Sequence, residues 1–119
     1  MRLVADVAIA LVALCHVGFL VLEMFLWERR LGRSIFGTTP EQAAFSAPLA
    51  KNQGLYNGFL AAGLVWGLTS GNLEVKTFFL VCIAIAGVYG AMTAKRSILY
   101  VQALPAIVAL ALLYWDWAL

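Results

Sequence analysis

Residues 7–22 read VAIALVALCHVGFLVL, 16 positions without Asp, Glu, Lys or Arg. Three further stretches, 52–73, 77–94 and 97–115, also lack those four residues and run for 22, 18 and 19 positions. A helix that crosses the hydrocarbon core of a bilayer needs ~20 mostly apolar residues. Backbone amides in hydrocarbon must be paired inside the segment or in a closed barrel. The strict alternation of a barrel strand is absent, and blocks such as Val7–Leu14 and Phe78–Ala86 are unbroken. The expected fold is an all-α integral membrane protein, a four-transmembrane-helix bundle. One membrane domain covers 1–119, with spans at about 3–27, 54–70, 75–94 and 98–117.

Composition agrees. The 119 residues are 64% hydrophobic and 12% charged, against about 45–50% and about 25% in soluble domains. That balance excludes a soluble enzyme, a disordered chain and a disulfide scaffold. Cys15 and Cys82 lie deep in apolar runs on different helices and read as packing residues, with no metal site. A scattered net charge of +2 gives no nucleic-acid partner. The first apolar helix exceeds the ~7–15 residues of a signal-peptide core and is expected to be a retained span. The loops at 28–53 and 95–97 hold Arg29, Arg30, Arg33, Lys51, Lys95 and Arg96, while the opposite side holds Arg2 and Lys76. Basic loops stay in the cytoplasm, so both termini are expected outside. Tyr114, Trp115 and Trp117 would anchor the outer interface and Trp27 the inner one. Asp6 is placed to pair with Arg2 at i, i+4.

The long first loop carries its own structure. Thr39-Pro40-Glu41-Gln42 sets a hydroxyl at the cap, proline at the first helical position and glutamine at the third, a capping box. A short helix at about 40–46 should follow and stop at Pro48, with Phe36 and Phe45 resting on the interface or the bundle. Small residues repeat every four positions at Gly54, Gly58 and Ala62, at Gly63 and Gly67, and at Ala86, Gly90 and Ala94. Such spacing lets helices approach closely in lipid.

The functional signal is polarity where the membrane penalises it. An acidic side chain at a span centre costs about 2.5–3.5 kcal/mol on insertion scales, less near the interface. Glu23 sits ~6 Å inside Trp27, and His16 ~10 Å deeper. At 100° per residue, His16, Glu23 and Trp27 fall within roughly 40° and form one stripe. The second span opens with Lys51, Asn52, Gln53, Tyr56 and Asn57; the third ends with Tyr89 and Thr93; the fourth begins with Ser97, Tyr100 and Gln102, ahead of Pro105. These groups share one depth, the inner half of the bilayer. A polar pocket open to the cytoplasm is the expectation. Asn57 and Tyr89 would donate to a ligand oxygen, and Glu23 with His16 would supply an acid–base pair. Trp27, Lys51, Asn52, Gln53, Tyr56, Thr93 and Gln102 would line it. A purely structural polar network, with Glu23 snorkelling to Arg29 or Arg30, is the competing reading.

Two stretches, HVGFLVLEMFLW at 16–27 and KNQGLYNGFL at 51–60, with AGVYGAMT at 86–93 and VQALPAIVAL at 101–110, resemble the small bacterial and fungal inner-membrane family catalogued as domain-of-unknown-function family 1304. The resemblance spans essentially the whole chain and implies an inner-membrane location without an established activity. The architecture is also similar to the MAPEG membrane enzymes. That likeness implies a homotrimer with sites between subunits at the cytoplasmic end of the second helix. Styrene oxide isomerase, a haem enzyme, looks similar too. Asn57-Gly58 matches its Asn-Gly pair and Tyr89 its catalytic tyrosine, but its haem-ligand position falls on Lys51, so the cofactor stays unknown.

The expected function is therefore binding or transformation of a small, partly apolar molecule, with membrane lipid around the chain. Enzyme and binder are not separated by these residues. The alternatives are a small transporter using Glu23, against which the charge bias argues, and a structural membrane subunit without ligand.

Overall fold

The structure, a computed structural model, describes residues 1–115, so Trp117 lies outside the described residues. Every regular element among them is helical: α1 (Arg2–Met24), α2 (Arg30–Phe36), α3 (Pro40–Ser70), α4 (Leu73–Thr93), a π-helical turn at Leu99–Ala103, and α5 (Leu104–Leu113). Two helices, α1 and α4, are long and apolar enough to cross a membrane. The chain divides into two compact units. One comprises Leu14–Ala61, the other Met1–Ala13 with Ala62–Leu119, and α1 and α3 each contribute to both.

In the Leu14–Ala61 unit the capping box forms as its spacing requires. The Gln42 amide donates to Thr39 Oγ1 at 3.1 Å, and the Thr39 amide donates to Gln42 Oε1 at 2.9 Å. The helix that follows does not stop at Pro48. It runs 31 residues with Pro48 inside it. A mid-helix proline removes the bond to the carbonyl four residues back and costs about 3 kcal/mol or more in isolation. Here tertiary packing overrides that penalty. Ala43, Ala47 and Ala50 form a buried stripe through the proline. The turn ahead of it is also braced by side-chain donors. Trp27 Nε1 donates to the Ala43 carbonyl and to Ser46 Oγ, both at 3.1 Å, and Ser46 Oγ donates to the Gln42 carbonyl at 2.8 Å. Trp27 can do this because α1 ends at Met24, three residues before the expected end of the first span.

In the other unit, buried positions follow helical spacing: Ala5, Ile9 and Val12 on α1, and Lys76, Leu80, Ile83 and Gly87 on α4. Gly71, with φ +67°, turns the chain from α3 into α4, and Asn72 Oδ1 caps α4 by accepting from the Val75 amide at 3.1 Å. Ala86 and Ala94 are exposed in the single chain, so the closest approach of α4 to its own neighbours does not run along Ala86–Gly90–Ala94. It centres on Gly87, where a Cβ would lie 2.6 Å from the Ala103 backbone nitrogen. Ala103 closes the π-helical turn, in which the Leu104 amide reaches back to the Leu99 carbonyl. Pro105 explains that turn: its ring crowds the carbonyl of Val101 and offers it no amide, and one widened turn relieves both.

Asp6 does not pair with Arg2. Its Oδ1 accepts from Lys76 Nζ at 2.8 Å. The lysine side chain is 4% exposed and the aspartate 33%. The local i, i+4 pair would sit in the open, whereas Lys76 is buried and needs a counter-charge. Beside it, Thr77 Oγ1 and the Tyr114 hydroxyl share a 2.6 Å hydrogen bond. The unequal burial gives an unequal expectation. Asp6→Asn strands a buried ammonium and should destabilise by about 2–3 kcal/mol, while Lys76→Met leaves a half-buried carboxylate and should cost about 1 kcal/mol or less. Thermal unfolding of the two purified variants checks the order; equal losses would mean the lysine is not the constrained partner.

Candidate functional site

Glu23 and Asn57 meet inside the Leu14–Ala61 unit. Glu23 is on the last turn of α1, half-buried; Asn57 is in the middle of α3 and 4% exposed. The amide Nδ2 of Asn57 donates to Glu23 Oε1. Neither end is a cap: Asn57 lies seventeen residues into an unbroken helix that starts at Pro40. The contact depends on two glycines, Gly54 one turn before Asn57 and Gly58 next to it. A Cβ on Gly54 would lie 2.6 Å from Met24 Cγ, 3.1 Å from Glu23 Cβ and 3.3 Å from the Leu20 carbonyl oxygen. A Cβ on Gly58 would lie 2.7 Å from Leu20 Cδ1. Removing both side chains lets α3 come close enough to α1 for a short carboxamide to reach a carboxyl.

A carboxylate offers about four acceptor positions on two oxygens, and Asn57 fills one. The pair can therefore accept further donors or, with Glu23 protonated, donate through its own hydroxyl. That capacity suits hydrogen bonding and proton exchange with a small molecule.

The other expected site residues divide. His16 is 1% exposed and stacks edge-on against Phe19 at 5.1 Å between ring centroids. It stands two helical turns from Glu23, ~10 Å along the axis, and the partner of Glu23 is Asn57 instead. Trp27 leaves the helical stripe because α1 has already ended. Its indole is committed to Ala43 and Ser46, and its ring packs on Phe36 at 4.7 Å. Lys51, Asn52 and Gln53 are exposed on α3, and Tyr56 is exposed with its ring edge-on to Phe59. Arg29 and Arg30 are exposed and make no ion pair to Glu23; among the described residues the ion pair present is Lys76–Asp6. Tyr89, Thr93 and Gln102 belong to the other unit. Tyr89 is 67% exposed beside Ala84, Ile85, Val88 and Met92 on an open apolar face of α4. Thr93 spends its hydroxyl on the Tyr89 carbonyl at 2.8 Å, and Gln102 is half-buried in the π-helical turn. α3 contains no histidine and Lys51 is on its surface, so these donors do not fit a haem ligated from α3.

Residues 10–114 match the family described as protein of unknown function (DUF1304). The chain belongs to this family. It is also similar to the uncharacterized protein YpaA of Lactococcus lactis, at 33% identity over 104 residues, covering 84% of this chain and 87% of that protein. No solved structure matches. The matched range includes Glu23, Gly54, Asn57 and Gly58.

Sequence reasoning missed Lys76, Ser46 and the indole role of Trp27. Lys76 carried a signal, a lysine four residues into an apolar helix; the Trp27 contacts carried none, because they require the chain to reverse between 27 and 43.

The two glycines should not respond alike. At Gly54 a methyl meets a neighbouring Cβ and a backbone carbonyl, which cannot swing away. At Gly58 it meets the end of a leucine. Gly54→Ala should destabilise by about 1–3 kcal/mol and Gly58→Ala by less. Chemical denaturation of the two variants in the same detergent reads the difference, and a larger loss at Gly58 would contradict the contact geometry.

Proposed function

We propose that this DUF1304 member is a multi-pass membrane protein in which Glu23 and Asn57 form an intramembrane polar site for a small, partly apolar molecule. The observation that carries the reading is the part-buried carboxyl–carboxamide contact where α3 packs closely on the apolar helix α1. Glycine alone is enough to pack helices in lipid. A carboxyl and an amide are expensive additions there, and ionisable groups in a membrane segment mark function by default. The proposed spans are α1, the later part of α3, α4, and the helical stretch Leu99–Leu113. The proposed setting is the inner membrane, with both termini outside and Glu23 in the cytoplasmic half.

A homotrimer of the MAPEG kind is part of the proposal. The exposure of Tyr89 supports it, since sites between subunits would give that hydroxyl a neighbour. Binding or an isomerase-like reaction then uses Glu23 to move a proton and Asn57 to hold the carboxyl in place. A transporter using Glu23 is the second reading and shares the same residues.

Glu23→Gln is the sharpest test, because glutamine keeps the acceptor for Asn57 and the shape while removing the acid. Organic extracts of purified wild type, Glu23→Gln and Asn57→Ala should be compared by mass spectrometry. The expected outcome is a co-purifying small molecule in wild type that is lost from both variants at unchanged oligomeric state. Identical extracts from all three would leave Glu23–Asn57 as a packing contact. A fluorescent-protein fusion at Leu119 checks orientation: the expected signal is dark, and bright cytoplasmic fluorescence would invert it.

A further inference from the structure

The segment between α1 and α3 presents a surface that the site does not use. α2 is only seven residues long, yet it has three distinct faces at about 100° per residue. Gly32 and Phe36 face the protein. Gly32 is buried against the Leu26 carbonyl with no room for a Cβ, and Phe36 packs on Trp27. Leu31 and Ile35, one turn apart, point away and are 55% and 50% exposed. Arg30 and Arg33 occupy the third face, with Arg29 just ahead of the helix. Arg33 is fixed by donating from Nε to the Glu28 carbonyl at 3.2 Å, and no carboxylate among the described residues pairs with any of the three arginines. Phe45 and Leu49, one turn apart on α3, add a second uncovered apolar stripe in the same unit.

We propose that α2 with Arg29, Arg30 and Arg33 is an anchor for anionic phospholipid headgroups, with Leu31 and Ile35 set into the acyl region beneath them. Charge complementarity chooses this occupant. A neutral apolar partner would cover Leu31 and Ile35 but leave three guanidinium groups without an anion beside it. A phosphate-bearing lipid satisfies both faces at once, because arginine binds phosphate oxygens through paired N–H donors. Glycine at position 32 is what holds the helix flat on its own protein with the other two faces outward. The acidic groups of the same segment, Glu28 and Glu41, are outnumbered by Arg29, Arg30, Arg33 and Lys51. The proposal rests on the membrane reading above but not on any role for Glu23.

The test uses the full chain in mild detergent, titrated with equimolar phosphatidylglycerol and phosphatidylcholine of matched acyl chains and read by native mass spectrometry. Wild type should retain phosphatidylglycerol preferentially. The preference should fall by about fivefold for each arginine replaced across Arg29→Gln, Arg30→Gln and Arg33→Gln. Leu31→Ser with Ile35→Ser should weaken retention with the arginines intact, and inorganic phosphate should not compete. Lys95→Gln with Arg96→Gln, in the other basic connection, should change nothing. An absent preference in wild type, a triple variant that keeps it, equal loss in the Lys95/Arg96 variant, or dissociation of an oligomer without a lipid effect would each overturn the proposal. Recovery of the chain from the soluble fraction would defeat the membrane reading as well; membrane extraction without lipid preference would defeat only this one.

Discussion

Asn57 reaches Glu23 because Gly54 and Gly58 remove the side chains that would hold α3 away from α1. Close approach comes first and polarity second. In an apolar chain the attraction between helices is weak and is set by how many atoms touch. Glycine lets the helices approach closely, and the Asn57 carboxamide spans the gap to Glu23. The same constraint recurs in the other unit. Gly67 lies where a Cβ would be 2.8 Å from Lys76 Cγ, and the lysine reaches Asp6 along that gap. Each unit thus has one polar tie whose reach is set by a missing side chain.

The two interior prolines show how context decides what a local rule does. Pro48 and Pro105 both lack the amide that a helix needs. Around Pro105 the backbone gives way, widening into a π turn that remains packed through Ala103 against Gly87. Around Pro48 the helix holds, because three buried alanines and the donors of Trp27 and Ser46 fix the turn ahead of it. A widened turn rotates every later side chain about the helix axis. Had α3 widened at Pro48, Gly54, Asn57 and Gly58 would have turned together away from α1. The bracing of that turn by Trp27 is therefore connected to the Glu23–Asn57 contact through the helix itself.

How much of this was legible follows the distance along the chain over which each interaction acts. The Thr39–Gln42 cap lies within one turn, and its residue types at that spacing are sufficient. The helical class follows from the charge-free runs, which are also local. Glu23 stood out as a costly residue, but its partner did not. Arg29 and Arg30 are plausible by charge and His16 by its place on the same stripe, and Asn57 is the partner because two glycines bring it close, a fact that only the packed pair reveals. Asp6 was assigned to Arg2 for the same reason: four residues of separation is visible in a sequence and seventy is not. Tyr89, Thr93 and Gln102 were grouped with Glu23 by depth alone. Depth says nothing about which face of a helix a residue occupies, and Tyr89 sits on an open one.

The two polar ties differ in a way that bears on function. Lys76 and Asp6 carry opposite charges, so their contact is electrically complete. It solves the burial of a lysine and asks for nothing more. Asn57 brings donors but no charge. A carboxylate at Glu23 gains one hydrogen bond from it and still lacks a counter-charge, with no arginine or lysine among the described residues supplying one. A chain that needed only to join α1 to α3 could use glutamine at position 23, keep the hydrogen bond to Asn57 and avoid the charge altogether. Neither the hydrogen bond to Asn57 nor an ion pair with arginine or lysine among the described residues requires an acid at that position. On the reading proposed above, the acid answers to something outside the chain: a proton to exchange, a cation to meet, or a ligand whose donor completes the site.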